Sequence, residues 1–119
     1  MDIKQTSGSK GDILVVDDSQ DSLKSLEAIL TREGYSVRAA PNGQTALMIV
    51  TTLPPELILL DVKMPGMDGY EVCRKLKADE RTRDIGIIFI SALTDLADKV
   101  KGFETGGVDY ITKPFQYKE

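Results

Sequence analysis

The sequence of 119 residues contains no histidine, no tryptophan and a single cysteine, Cys73. Without histidine, the chain cannot form a Ser-His-Asp or Cys-His nucleophile pair, a zinc site of the HExxH type or a phosphohistidine of its own. A lone cysteine cannot close an internal disulfide, which fits a reducing compartment. The chemistry of this protein must therefore come from carboxylates, hydroxyls, amines or backbone groups.

Long apolar runs and an excess of positive charge are also missing. No run approaches the ~18 residues that cross a bilayer, and the first residues lack the apolar stretch of a signal peptide. Asp and Glu number 19 against 15 Lys and Arg, a net charge of -4. This negative balance provides no excess of positive charge that would attract a nucleic-acid backbone or an anionic membrane. We therefore expect a cytoplasmic protein with no membrane contact and no direct nucleic-acid binding.

What is present is the pattern of one α/β domain. After a polar arm at residues 1–11, five short apolar runs predict strands, beginning near Ile13, Tyr35, Leu57, Ile87 and Val108. Four complete helical patterns alternate with them, and caps are expected at Ser19, Asp68 and Thr94. This alternation predicts right-handed crossovers and a parallel sheet with helices on both faces. A fifth helix has room only to begin at Phe115, so we expect it to be truncated or missing.

Polar residues follow the apolar runs, at the strand ends where ligands gather in an open α/β sheet. Asp17 and Asp18 follow the first run, Asp61 the third, Ser91 the fourth and Lys113 the fifth. If the first and third strands are neighbours, three carboxylates meet at one edge and repel one another. A hard cation with oxygen ligands, such as Mg²⁺, relieves that repulsion and can hold a phosphoryl group. One carboxylate then remains as a nucleophile that needs no general base.

The motifs around these residues resemble the receiver domain of two-component response regulators. The resemblance rests on four pieces in order: Val15-Val16-Asp17-Asp18-Ser19, Leu60 to Gly69 (LDVKMPGMDG), Ile90-Ser91-Ala92 and Asp109 to Pro114 (DYITKP). It covers about residues 12–117. It implies a flavodoxin-like, doubly wound, five-stranded parallel sheet of order 2-1-3-4-5. It also implies that residues 12–119 are a receiver domain from a longer protein.

The resemblance assigns a role to each matched acidic position. Asp61 would accept a phosphoryl group from a phosphohistidine on a sensor histidine kinase or phosphotransfer protein. Asp18, Asp61 and the backbone carbonyl of Lys63 would bind Mg²⁺ directly, and Asp17 would act mainly through water. The Lys63 side chain has two open interpretations: it is solvated, or it leans over the acceptor and slows attack by water.

The remaining matched residues would respond to the phosphoryl group. Lys113 would pair with Asp61 and then with the phosphoryl group. Ser91 would bond a phosphoryl oxygen and draw in the loop that carries Ala92, whose backbone belongs to the site. Tyr110 matches the aromatic position that turns inward on activation. In the family, the fourth helix, fifth strand and fifth helix commonly form a dimer face that depends on phosphorylation, so a homodimer through the fourth-helix and fifth-strand face stays an open alternative.

Any one of these residues alone could be an ordinary turn or surface residue. Taken together, they are compatible with three functions. The first is a phosphorylation switch that has no separate turnover substrate and is not an enzyme in that sense. The second is a Mg²⁺-dependent aspartyl-phosphate phosphatase, but that class typically has Asp-x-Asp after the first strand, where this chain has Asp17-Asp18-Ser19. The third is a receiver-like module that no longer accepts phosphate, which would usually have lost an acid or the lysine. The phosphorylation switch is the favoured function. The sequence contains no Walker or GxGxxG motif, so a nucleotide-binding site is not expected.

Overall fold

The computed structural model describes residues 10–91 and 109–112, with Ser91 and the last strand described by their backbone. Strands and helices alternate in the order β1 (Asp12–Val16), α1 (Gln20–Arg32), β2 (Ser36–Ala40), α2 (Gly43–Thr52), β3 (Leu57–Asp61), α3 (Gly69–Ala78), β4 (Gly86–Ser91) and β5 (Asp109–Thr112). The strands form one parallel sheet of order β2-β1-β3-β4-β5. The predicted architecture and strand order are confirmed. The predicted helix after Thr94, the truncated fifth helix and residues 1–9 of the arm lie outside the described residues.

The two faces of the sheet carry separate hydrophobic cores, as the period of two along a strand requires. One core lies between the sheet and helices α2 and α3, and its largest strand residues are Leu14, Ile58, Leu60, Ile87 and Phe89. The other lies between the sheet and α1, and contains Ile13, Val15, Leu59, Ile90, Leu23 and Leu26. Cys73 is fully buried in the first core. Among the helices in the part of the chain that the structure describes, none is both long and apolar enough to span a bilayer.

Side-chain caps fix where each helix begins relative to the strand before it. Ser19 accepts a hydrogen bond from the Ser22 amide at 3.2 Å, and Asp68 accepts one from the Glu71 amide at 2.9 Å. Both caps were predicted, because their oxygens satisfy amides that the first helical turn leaves open. Asn42 caps α2 in the same way. The helices therefore start close to the carboxyl ends of the strands.

The sheet continues two residues before β1. The Lys10 amide donates to the Gly34 carbonyl at 2.9 Å, and the Ser36 amide donates to the Gly11 carbonyl at 2.9 Å. The Lys10 ammonium also lies 5.8 Å from the centre of the Tyr35 ring, within cation–π range. These two residues of the predicted arm are thus bonded alongside the start of β2.

An exposed ion pair closes the end of α3 and carries a pH-dependence. Arg81 Nη2 lies 2.8 Å from Asp79 Oδ2, and hydrogen bonds from Arg81 lower the pKa of Asp79 from 3.8 to about 2. Because the folded pKa lies below the ordinary one, the pair stabilises the fold above pH 3.8 and this contribution is lost as the pH falls towards 2. We expect Arg81→Ala to return the pKa of Asp79 towards its ordinary value, as followed by carboxyl NMR shifts against pH. An unchanged pKa would mean that Arg81 is not its cause.

Candidate functional site

The carboxyl ends of β1 and β3 bring three acidic side chains to one place. In the parallel ladder Val16 lies opposite Leu60, so Asp17 and Asp61 follow side by side at the same edge. One carboxylate oxygen from each of Asp17, Asp18 and Asp61 lies within 4.8 Å of the other two. The strand ends thus bring together the three carboxylates that the sequence predicted would converge.

The three carboxylates differ in burial. Asp17 is 0% exposed and Asp61 4% exposed, whereas Asp18 is exposed to solvent. The Asp17 amide donates to the Ala40 carbonyl at 3.1 Å, and Asp17 Oδ1 accepts a hydrogen bond from the Ser19 amide at 2.9 Å. These bonds hold Asp17 between the end of β2 and the start of α1. The site therefore combines two buried acids with one exposed acid.

This donor set fits a hard divalent cation. All three side chains offer carboxylate oxygens, the ligand type that Mg²⁺ prefers, and the oxygens around an octahedral Mg²⁺ lie about 3–4 Å apart. The observed spread of up to 4.8 Å needs only small side-chain movements to reach that geometry. Because Asp18 is exposed to solvent, the site leaves room for the waters that Mg²⁺ usually keeps. The residues present are thus suited to Mg²⁺.

The loop from β3 to α3 folds back over the end of β3. The Val62 amide donates to the Ile90 carbonyl at 3.1 Å, and the Gly69 amide donates to the Val62 carbonyl at 2.9 Å. Gly66 turns the loop with a φ of +78°, a conformation that favours glycine. Met64 is buried in the core beneath α2 and α3. The loop is thus anchored at both ends beside Asp61.

The other predicted site residues are described only in part. Asp61 pairs with Ile90 in the β3–β4 ladder, so the backbone of Ser91 follows at the same edge of the sheet. Ser91 in turn pairs with Thr112 of β5. The backbone of Tyr110 lies in β5, opposite Phe89. Lys63 is in the β3–α3 loop and exposed. Ala92 and Lys113 lie outside the described residues.

Two features of the site were missed at the level of sequence. The first is the Ser19 amide that orients Asp17, because the sequence indicated only the capping role of the Ser19 side chain. The second is Gly69, where a Cβ would overlap the carbonyl oxygen of Asp61. A signal for Gly69 was available: glycine is a poor helix former, yet it is the first residue of α3.

Fold and site together define a class: a flavodoxin-like α/β domain with a cluster of three acids at the carboxyl edge of its sheet. The sequence model of the response regulator receiver domain matches residues 13–119. This chain belongs to the response regulator receiver family. It is accordingly a domain of two-component signalling, of a kind that interacts with histidine kinases or phosphotransfer proteins and is generally not an enzyme.

Two bacterial regulators are similar in sequence to this chain. The chain is 51% identical over 102 residues to the response regulator PleD of Caulobacter vibrioides, covering 86% of this chain and 22% of that protein. It is 39% identical over 107 residues to the DNA-binding dual master transcriptional regulator RpaA of Synechocystis, covering 90% of this chain and 44% of that protein. The chain therefore spans less than half the length of these relatives.

Solved structures show the same fold. A putative response regulator from Chloroflexus aurantiacus superposes with a TM-score of 0.86 at 36% identity, covering 89% of this chain and 87% of that one. The receiver domain of a signal transduction histidine kinase from Syntrophus aciditrophicus gives a TM-score of 0.81 at 40% identity, covering 89% and 80% of the two chains. Receiver domains thus match this chain both from regulators and from a kinase.

Proposed function

We propose that Asp61 accepts a phosphoryl group from a phosphohistidine on a partner protein in a Mg²⁺-dependent reaction, and that the modification switches the face formed by Ser91 and Tyr110. The observation that carries this proposal is the convergence of Asp17, Asp18 and Asp61 within 4.8 Å at the end of two adjacent strands. Membership of the receiver family supports it.

The transfer itself needs little beyond positioning and charge neutralisation. The ionised carboxylate of Asp61 attacks phosphorus, the P–N bond to the donor imidazole breaks, and its electron pair stays on that imidazole. The product is an acyl phosphate on Asp61. Mg²⁺, when bound, neutralises the charge on the phosphoryl oxygens. A later attack by water on the phosphorus returns the Asp61 carboxylate and inorganic phosphate.

Each further residue has a place in this scheme. Asp18, Asp61 and the Lys63 carbonyl would hold the cation. Asp17, whose side chain accepts a hydrogen bond from the Ser19 amide, would act on the cation mainly through water. Lys113 pairs first with Asp61 and then with the phosphoryl group.

The response to phosphorylation lies on the β4–β5 side of the sheet. Ser91 binds a phosphoryl oxygen, and its shift draws the loop that carries Ala92, whose backbone belongs to the site, towards Asp61. Tyr110 then turns inward. Ser91 pairs with Thr112, and Phe89 with Tyr110, on adjacent strands, so a shift at Ser91 has a direct route to β5. Phosphorylation thus biases a two-state packing of this face.

The wider setting is part of the same proposal. Residues 1–11 are an arm, and residues 12–119 are the receiver part of a longer protein. The small share of each relative that the chain covers supports the longer protein. The donor is a sensor histidine kinase or phosphotransfer protein in the cytoplasm, a reducing compartment that suits a cysteine forming no disulfide, such as Cys73. The domain itself binds neither nucleic acid nor membrane. A homodimer through the fourth-helix and fifth-strand face is the alternative to a monomer.

A single incubation tests the proposed function. The protein is mixed with acetyl phosphate, with Mg²⁺ or with excess EDTA, and its intact mass is followed over time. We expect one phosphoryl group with Mg²⁺ and essentially none with EDTA. A phosphatase would instead turn over p-nitrophenyl phosphate continuously, and a module that no longer accepts phosphate would gain no mass. Either of those results would overturn the proposal.

The two adjacent acids should differ in their effect on Mg²⁺ binding. We expect Asp17→Asn to weaken Mg²⁺ affinity by about tenfold or more, the typical loss when a residue that supports the direct ligands is removed. We expect Asp18→Asn to weaken the affinity further, because Asp18 is a direct ligand. Calorimetric titration of both variants measures the difference. The reverse order would move the direct ligand role to the buried Asp17.

The exposed Lys63 side chain should affect the lifetime of the acyl phosphate. We expect Lys63→Ala to change the dephosphorylation rate more than the Mg²⁺ affinity, because the cation would use the backbone carbonyl and not the ammonium group. The rate is measured as the decay of the phosphorylated mass after removal of acetyl phosphate. Equal lifetimes in the two proteins would leave Lys63 as a solvated side chain.

A further inference from the structure

Gly69 lies against the backbone of the acceptor residue. An added Cβ at Gly69 would overlap the Asp61 carbonyl oxygen and lie 3.0 Å from the Asp61 carbonyl carbon and 3.1 Å from Val62 Cα. Cβ atoms essentially never come within 3.0 Å of a backbone atom, and backbone cannot rotate away as a flexible side chain can. A side chain at this position therefore requires either the loop or the end of β3 to move.

The glycine is needed for space and not for its conformational freedom. The described glycines with positive φ are Gly11, Gly34 and Gly66, and Gly69 is not among them. Any residue could adopt the backbone conformation of Gly69, and glycine costs helix stability at this position relative to alanine. What the missing side chain provides is close contact between the start of α3 and the end of β3.

Two backbone hydrogen bonds hold this contact in place. The Gly69 amide donates to the Val62 carbonyl, and the Val62 amide donates to Ile90 of the neighbouring strand. Directly after Gly69, the Tyr70 ring packs against Phe89 with 5.3 Å between ring centres. The start of α3 is thus fixed in the core and cannot easily retreat from Asp61.

We propose that Gly69 is a positioning residue that sets the placement of the Asp61 carboxylate through direct contact with the Asp61 main chain. The inference rests on the proposed function, in which Asp61 is the acceptor. A displaced Asp61 carbonyl tilts its Cα–Cβ bond, so the carboxylate no longer lines up with the phosphoryl donor. Misplacement of a reacting group by about 1 Å can cost on the order of a hundredfold in rate.

Other glycines of this chain provide matched controls. A Cβ at Gly86, at the opposite end of the sheet, would meet the Leu57 side chain at 3.1 Å, and one at Gly66 would meet nothing within 4 Å. Gly86→Ala therefore tests tight packing away from the site. Gly66→Ala tests strain within the same loop, because its φ of +78° disfavours alanine.

The experiment compares Gly69→Ala, Gly66→Ala and Gly86→Ala with the unmodified chain, each rate divided by the folded fraction from circular dichroism. Acetyl phosphate is varied at saturating Mg²⁺. For Gly69→Ala we expect the maximal phosphorylation rate to fall by about 10- to 100-fold, with little change in the half-saturating donor concentration. For both controls we expect changes of no more than about threefold. Backbone amide NMR spectra without Mg²⁺ should show the largest shifts of Gly69→Ala at residues 61–63.

The outcomes separate this inference from the proposed function. If the unmodified chain takes up no phosphoryl group, the proposed function fails, and the amide shifts at 61–63 still decide whether Gly69 places Asp61. If the unmodified chain is phosphorylated and Gly69→Ala reacts at the same rate, the positioning role is wrong. If Gly69→Ala stays unfolded at low temperature in trimethylamine N-oxide, which favours the folded state, while the controls fold, then Gly69 serves folding and the inference is also overturned.

Discussion

Asp61→Asn is expected to abolish uptake of a phosphoryl group from acetyl phosphate, with no mass gain in a period that fully labels the unmodified chain. The amide of asparagine has almost the shape of the carboxylate but lacks the charge and the nucleophilic oxygen that the transfer requires. Intact mass spectrometry with Mg²⁺ measures the result. Because the substitution also removes one of three clustered negative charges, we expect stability without Mg²⁺ to be unchanged or higher.

The matched control for this variant is Asp12→Asn. Asp12 is the exposed first residue of β1, at the edge of the sheet opposite the acidic cluster, so its substitution should leave phosphorylation unchanged. Peptide mapping of the phosphorylated chain should place the label on Asp61. A label that persists at another residue in Asp61→Asn would show that the acceptor had been assigned wrongly.

Phe89→Ala is expected to lower the free energy of unfolding by about 3–5 kcal/mol. Phe89 is fully buried in the core beneath α2 and α3, and its ring lies 5.3 Å from that of Tyr70 at an angle of 56°. Its removal forfeits the transfer free energy of the ring, leaves a cavity and ends the ring pair. Domains of this kind are stable by only about 5–15 kcal/mol, so this variant should lie close to unfolding.

Urea denaturation followed by far-ultraviolet circular dichroism measures this loss. Met48→Ala is the comparison, because Met48 is 69% exposed on α2 and its truncation should change stability by no more than about 0.5 kcal/mol. A loss below about 1 kcal/mol for Phe89→Ala would mean that the neighbouring side chains refill the cavity. Because Tyr70 follows Gly69, the same variant should loosen the start of α3 over Asp61.

The fold was largely predictable because its signals are local and repeated. Continuous apolar runs marked the buried strands, and Ser19 and Asp68 marked two helix starts that the structure confirms. The convergence of the acidic residues followed from one topological assumption, that β1 and β3 are neighbours, and this is the observed pairing. Local patterns thus fixed the elements, and the resemblance supplied their order.

What could not be predicted depends on the path of the chain in three dimensions. Asp17 and Asp18 are adjacent in sequence, yet one is buried and the other exposed, because the chain turns from β1 towards α1 between them. The approach of Gly69 to Asp61 depends on how the intervening loop folds back. The glycine at the start of α3 marked position 69 as unusual, but residue type and spacing gave neither its distance from Asp61 nor the burial of Asp17.

The two hydrophobic cores on opposite faces of the sheet leave α1 structurally independent of the helices that support the acceptor loop. Within α1 only Leu23 and Leu26 are buried, and they belong to the core that excludes α2 and α3. The outward residues of this helix can therefore change without disturbing the packing of α2 and α3 on the other face of the sheet.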